Sequence, residues 1–298
     1  MKLLLVGDLH LTGRTPISRT DDFPETQYRK MNQIVDIAGG DKYILQAGDF
    51  FDSYSPSFRV INRYIQLLNS PSLYCFCVMG QHDLYLWSLT GIERTALSIL
   101  ESSNCVDIIR DCYTLDRDHV CKIYGCSWGQ EIPKIRDANK FNILVIHKNI
   151  GDKPLFHGHD LEHPRRFLNK YGFDLILCGD YHFPFEYSNE NRLIINTGTI
   201  SRKSITEKDI KPSVVLYDTE TRKHEWIELK HDSNPFVNRE REHKVEGTLD
   251  MSDFFFQINS ESDITKISFR DNVMRALEAK EVKKEVKEKA IAILNEGY

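Results

Sequence analysis

The chain has 298 residues, a formal net charge of −5, 41% hydrophobic and 28% charged residues. That length suits one large domain, or one large and one small, and the acidic balance excludes a surface that binds nucleic acid through overall charge alone. No apolar run approaches the roughly 18 residues of a membrane span, no secretory leader is visible, and the seven cysteines lack Cys-x-x-Cys spacing, so they read as buried thiols of a reducing, cytoplasmic compartment.

Residues 3–6 read as a buried strand. Residues 12–27, polar and broken by Gly13, Pro16 and Pro24, read as a long loop over the mouth of a site. Helical spacing of Tyr28, Met31, Ile34, Val35 and Ala38 marks a first helix over 25–37, ended by Gly39-Gly40. A strand at 42–46 runs into Ala47-Gly48-Asp49-Phe50-Phe51-Asp52. A helix at 58–68 follows Ser55-Pro56-Ser57. The strand at 73–79 ends in Gly80-Gln81-His82-Asp83. A short helix at 95–101 precedes strand pieces at 106–109 and 121–124, with a hairpin at 113–119 between them. A strand at 141–146 ends in His147, a helix covers 161–169, and a strand at 175–178 ends in Gly179-Asp180-Tyr181-His182. Residues 192–196, 213–218 and 223–229 read as strands in a meander. Strand and helix alternate early and hairpins come late, so the expected class is α/β, with two packed mixed β-sheets flanked by helices.

Composition shifts near His231. The expected division is a main domain over 1–230, a charged linker over 231–252 and a small α+β extension over 253–298. The extension has strand-like runs at 253–258 and 264–269 and a helix over 271–295. Val273, Leu277, Val286, Ala290 and Leu294 form an apolar stripe on that helix.

The chemistry lies where apolar runs stop. Five times a strand-like run is followed by Asp, His or both: Asp8 and His10, Asp49, His82, His147, and Asp180 with His182. Residues i and i+2 on an extended backbone share a face, so Asp8 and His10 point the same way beyond a strand end. Ligands of open α/β sheets sit there. Carboxylates and imidazoles suit manganese, iron or zinc, and no thiolate stands among them. With the amide oxygen of Gln81 the set is large enough for two metals sharing a carboxylate. Two ions about 3.5–4 Å apart can activate water and clamp phosphoryl oxygens.

The set Asp8-x-His10, Gly48-Asp49-x-x-Asp52, Gly80-x-His82-Asp83, His147 and Gly179-x-x-His182 resembles the calcineurin-like metallophosphoesterase superfamily over about residues 1–230. Within it the chain is most similar to the nuclease subunit of the bacterial and phage nuclease–ATPase complex that repairs DNA double-strand breaks. Gly7-Asp8-Leu9-His10-Leu11, Gly48-Asp49-Phe50-Phe51-Asp52 and Asn196-Thr197-Gly198-Thr199-Ile200-Ser201-Arg202 carry that likeness. The resemblance implies a four-layer sandwich. It implies that Asp8, His10 and His182 hold one metal, that Asp49 bridges, and that Gln81, His147 and Asp180 complete the second site. It makes His82 a non-ligand that protonates the leaving oxygen, with Asp83 or a backbone carbonyl fixing its tautomer. Asp52 is expected to steady the loop or a ligand. The family usually has Asn in place of Gln81 and His in place of Asp180. Both departures fall on the second metal, and leave it weakened, altered in preference or empty.

The function so implied is an Mn²⁺-dependent DNA exonuclease or endonuclease of repair or recombination. Its implied partners are DNA, an SMC-like coiled-coil ATPase docked through the tail, and a second copy of the chain. Two other readings stay open: a phosphodiesterase or phosphatase acting on something other than nucleic acid, and a weakly catalytic scaffold that binds DNA ends for an ATPase.

Overall fold

The leucine run of the first strand sets the layering. In the computed structural model, which describes residues 1–115, 121–155, 161–237 and 287, β1 (Lys2–Val6) is buried on both faces. Leu3 and Leu5 face one apolar cluster and Leu4 and Val6 another, as the two-residue period of a strand requires. A strand buried on both faces belongs in the middle of a covered sheet. The remaining strands are β2 (Tyr43–Gln46), β3 (Tyr74–Cys77), β4 (Asp107–Ile108), β5 (Cys112–Thr114), β6 (Cys121–Cys126), β7 (Phe141–His147), β8 (Leu175–Gly179), β9 (Phe185–Asn189), β10 (Arg192–Asn196), β11 (Ser213–Asp218) and β12 (His224–Glu228).

They form two six-stranded mixed sheets, β12-β11-β1-β2-β3-β4 and β5-β6-β7-β8-β10-β9. In the first, β1 to β4 are parallel while β11 and β12 run antiparallel to their neighbours. In the second, β6, β7, β8 and β10 are parallel and both edges are antiparallel. Leu3, Leu5, Leu45 and Val78 of one sheet pack with Ile143, Val145, Leu175 and Leu177 of the other in a shared apolar layer. Helices α1 (Phe23–Ala38), α2 (Phe58–Leu68) and α3 (Ala96–Ser102) cover the outer face of the first sheet, where Met31, Ile34, Ile61, Tyr64 and Leu97 meet Leu4 and Val6. Helix α4 (Pro164–Lys170) covers the second through Phe167 and Leu168. The α/β class with two mixed sheets flanked by helices is therefore the observed architecture.

Local chemistry moved several boundaries. Helix α1 begins two residues before its expected start: Asp22 accepts from the Glu25 N–H and Pro24 occupies the first turn, where its missing N–H costs nothing. Helix α4 starts later than expected, at Pro164, because His163 is its cap. The expected meander does not exist. Strand β10 lies in the second sheet, parallel to β8, and only β11 and β12 form a hairpin in the first. Its antiparallel partner β9 went unforeseen because Phe185–Asn189 mixes Glu, Ser and Asn with two aromatics and lacks an apolar run.

Contacts divide the chain into units Met1–Asn238 and Arg239–Tyr298. The site lies in the first. Of the linker and extension expected over 231–252 and 253–298, only 231–237 and a helical Lys287 are described; the strand runs and the long helix otherwise lie outside the described residues, as does the tip of the 113–119 hairpin. Among the described residues no helix is long and apolar enough to cross a membrane.

A candidate binuclear metal centre

The centre is built from the carboxyl ends of strands in both sheets. Asp8 and His10 follow β1, Asp49 follows β2, and Gln81 and His82 follow β3; His147 closes β7, and Asp180 and His182 follow β8. The chain must turn sharply there, and His10, Asp49 and Asp180 take left-handed φ of 46°, 50° and 84°. Asp and His tolerate that region better than most side chains. Two glycines make room. A Cβ on Gly80 would lie 2.0 Å from Asp49 Oδ1, and one on Gly48 2.5 Å from His147 Nδ1.

Asp49 is fully buried. Its Oδ1 accepts from the His82 N–H at 3.0 Å. Its Oδ2 has no hydrogen-bond partner, yet it stands 3.5 Å from both His10 Nε2 and His147 Nε2 and 4.0 Å from His82 Nε2. Asp8 repeats the pattern: Oδ2 accepts from the Asp180 N–H at 3.0 Å and lies 3.7 Å from His182 Nε2, while Oδ1 is buried without a partner. His10 Nε2 and His182 Nε2 stand 3.0 Å apart. Buried unpaired carboxylate oxygens are costly, and these face imidazole nitrogens across gaps too long for good hydrogen bonds. Donors that share one ion at about 2.0–2.2 Å are separated by roughly such gaps. Two clusters meet the requirement, Asp8 with His10 and His182, and His10 with Asp49 and His82. The residues therefore fit a pair of divalent ions.

Three of the rings are oriented from behind. His147 Nδ1–H donates to the Ala47 carbonyl at 2.7 Å, His82 Nδ1–H to the Asp52 carbonyl at 3.1 Å, and His182 Nδ1–H to Glu207 Oε1 at 2.7 Å. Each arrangement directs Nε2 into the centre. Glu207 escaped the sequence reading. Its other oxygen accepts from the Ser204 N–H at 2.9 Å, so it also closes the 3₁₀ turn Ile205–Glu207. Ser204-x-x-Glu207 has the spacing of a capping box, which identifies the turn and says nothing of the histidine.

Gln81 reaches two neighbours: its Oε1 lies 2.8 Å from His147 Nε2, and its Nε2 donates to Asp180 Oδ1 at 3.2 Å. The three residues expected at the second metal are thus brought together. Asp83 requires a correction. It does not pair with His82; its carboxylate accepts from the backbone N–H groups of Phe50, Phe51 and Gly80. It ties the β2 and β3 turns together and touches no reacting atom, and the carbonyl of Asp52 orients His82 instead. The Asp52 carboxylate holds Lys203 Nζ at 2.6 Å and stands 3.6 Å from His10 Nδ1. Asp8, His10, Asp49 and His147 are buried; His82 is 39% and His182 30% exposed, so these two imidazoles border the opening.

The ionisation pattern follows from this crowding. Burial pushes the Asp8 carboxyl up to about 7 against the pull of His147 and His182. Burial also works on Asp49, but His147, His82 and His10 together hold its carboxyl well below the usual range. Burial disfavours the charged form of His147 and His182, yet Asp49 raises the first well above its ordinary value, and the Glu207 hydrogen bond with Asp8 brings the second to about 9. His10 is pushed down by burial, more than Asp49 can offset, which leaves its imidazole neutral, the form that ligates.

Fold and site together define a hydrolase built on a two-ion centre. The chain belongs to the calcineurin-like phosphoesterase family, whose description matches residues 1–184, and it is a metal-dependent phosphoesterase. No curated protein sequence matches it. Among solved structures it is similar to an archaeal phosphodiesterase, at 18% identity over 77% of this chain and 100% of that one, TM-score 0.41. It is also similar to a Staphylococcus aureus protein provisionally assigned as a 5′-nucleotidase, at 13% identity over 87% of this chain, TM-score 0.48, where the match spans 58% of that protein's length. A hypothetical protein from Pyrococcus horikoshii matches at 12% identity over 78% of this chain and 88% of that one, TM-score 0.39.

Proposed function

We propose that the protein is a manganese-dependent DNA nuclease, hydrolysing phosphodiester bonds in cytoplasmic repair or recombination. The observation that carries the reading is the course of the Asn196–Arg202 loop, the stretch by which the chain resembles the repair nucleases. Thr197 Oγ1 accepts from the Gly7 N–H at 2.7 Å, and the Ile200 N–H donates to the Asp8 carbonyl at 2.9 Å. Gln27 Nε2 donates to the His10 carbonyl at 2.7 Å and to Ser201 Oγ at 2.8 Å. The loop thus braces the turn that presents Asp8 and His10, and it runs on to the half-buried Lys203 and the buried Glu207.

In this reading Asp8, His10 and His182 would hold one ion, Gln81, His147 and Asp180 would hold the other, and Asp49 would serve both. Once bound, such ions would supply an activated water and charge neutralisation at the phosphoryl oxygens. His82, accessible and with Nδ1–H fixed on the Asp52 carbonyl, presents Nε2 to the leaving oxygen and gives it a proton. Three imidazole donors favour Mn²⁺ over Mg²⁺, which prefers an oxygen octahedron. An SMC-like ATPase bound through the C-terminal extension, and a second copy of the chain, are the partners the reading implies.

One observation favours a second reading, a DNA-end scaffold with little turnover: Gln81 and Asp180 stand at the second ion's site where the resembling family usually has Asn and His. The test is metal-stripped protein incubated with labelled linear DNA, a small phosphodiester and a phosphopeptide under Mn²⁺, Mg²⁺, Fe²⁺ or Zn²⁺, beside Asp8→Ala. DNA shortened by the wild type with Mn²⁺ supports the nuclease. Hydrolysis of the small diester alone refutes it, and DNA-end binding without hydrolysis of any substrate supports the scaffold.

A further inference from the structure

Several acidic groups crowd the metal centre. Asp8, Asp49, Asp180 and Asp52 converge, and a polyanion entering the opening needs positive charge beyond what a pair of ions neutralises at one phosphate. Lys203 is an ammonium that contacts the site, with Nζ 2.6 Å from Asp52 Oδ1 and its side chain 41% exposed.

Its backbone is held on three sides. Arg202 before it is buried in a left-handed turn, φ 53°, with its guanidinium donating to the Lys208 carbonyl at 3.0 Å and to the Asp232 carbonyl. The Lys203 carbonyl accepts from Ser18 Oγ at 2.7 Å. The next N–H, that of Ser204, is held by Glu207, the carboxylate that also orients His182. Lys203 is therefore a flexible cation on a fixed base, registered against the metal centre by the same group that aims a ligand.

Its position relative to the ions is set by His10. Lys203 meets Asp52, Asp52 faces His10 Nδ1 at 3.6 Å, and the opposite ring nitrogen, Nε2, faces the centre. A carboxylate and an imidazole thus stand between the ammonium and the atoms that would clamp the scissile phosphate. A cation there is placed for the next phosphate along a chain, which a small diester lacks. The loops on this side also carry exposed apolar side chains, Ile17 at 80% and Ile205 at 48%.

We propose, on the basis of the nuclease reading, that Lys203 grips a phosphate flanking the scissile one and so makes the centre prefer polynucleotides to small phosphodiesters. The ion pair with Asp52 is its resting state, and a phosphate displaces the carboxylate. An exposed pair of this kind is worth little on its own, so the exchange is easy.

The test compares wild type, Lys203→Gln and Lys203→Arg, each checked for metal content, on a single-stranded oligonucleotide and on bis(p-nitrophenyl) phosphate over a range of salt. The ratio of kcat/KM for DNA to that for the small diester should fall about fivefold to tenfold in Lys203→Gln, mainly through KM, and Lys203→Arg should restore it. The salt slope of log(kcat/KM) on DNA should shrink by about 0.7, the share of one phosphate contact on a single strand. An unchanged ratio, or an equal fall on both substrates, overturns the inference; the equal fall would mean that Lys203 acts through Asp52 on His10 and His82. A wild type that cleaves the small diester and never DNA removes the nuclease reading itself, and is told apart because it needs no variant.

Discussion

Glu207→Gln removes one charge and almost no volume. The wild-type carboxylate uses both oxygens, Oε1 on the His182 Nδ1–H at 2.7 Å and Oε2 on the Ser204 N–H at 2.9 Å, and the residue is 4% exposed. A glutamine can accept at only one of these sites. At the other its NH₂ meets a donor, so either the ligand or the turn loses its anchor. A hydrogen bond to a charged group contributes about 1.5–3 kcal/mol. Loss of an outer partner of a ligating histidine typically lowers metal affinity 10–100-fold, or about 1.4–2.7 kcal/mol. The two routes agree, so Mn²⁺ affinity at the site that includes His182 should fall by that factor, read by calorimetric titration of chelator-stripped protein. Nuclear magnetic resonance of the stripped protein should show the His182 pKa falling from about 9 towards its ordinary 6.5. The sign follows: a histidine with a raised folded pKa stabilises fully below 6.5 and loses that contribution as pH rises through 9, and the variant should lose this dependence. Unchanged metal affinity with a lowered melting temperature would show Glu207 to be a turn cap and nothing more.

His82→Ala should keep its metal content by elemental analysis while turnover falls about 10²–10⁴-fold; loss of an ion would make His82 a ligand of the second cluster instead. Gly80→Ala should abolish metal binding and lower the melting temperature, because the added Cβ would collide with the Asp49 carboxylate; normal metal content would refute the packing argument. Lys30 is buried, and burial pulls its pKa from 10.5 down to about 7. The unfolded chain then binds more protons than the folded one between these values, so stability rises with pH across that window. Lys30→Met should flatten that part of the curve of melting temperature against pH, and a parallel curve would refute it.

The strand-end groups were legible because a parallel strand buried on both faces leaves an uninterrupted apolar run, and a run that stops at Gly7-Asp8 or Gly48-Asp49 announces its own end. The sheet to which a strand belongs was not legible. Strands β10 and β11 have similar apolar character and lie in different sheets, a choice made by long-range packing. The partner of His82 could not be read either, since a backbone carbonyl has no residue type; Asp83 beside it offered a carboxylate that the structure spends on three amides. Glu207 was hidden for a third reason. It lies 25 residues beyond His182, across the β9–β10 hairpin and a buried loop, and only the folded path of the chain brings them together.

Asp8, His10, Asp49, Gln81 and His82 come from one sheet and His147, Asp180 and His182 from the other, and β1 is itself clamped between β2 and the late strand β11. On the ligand assignment proposed above, neither ion would have its full set of donors until both sheets exist, and the first strand lacks one neighbour until residues 213–218 have been made. Contacts this distant in sequence form slowly and after local structure. On that assignment ion capture would come late in maturation, as a seal on a sandwich already built.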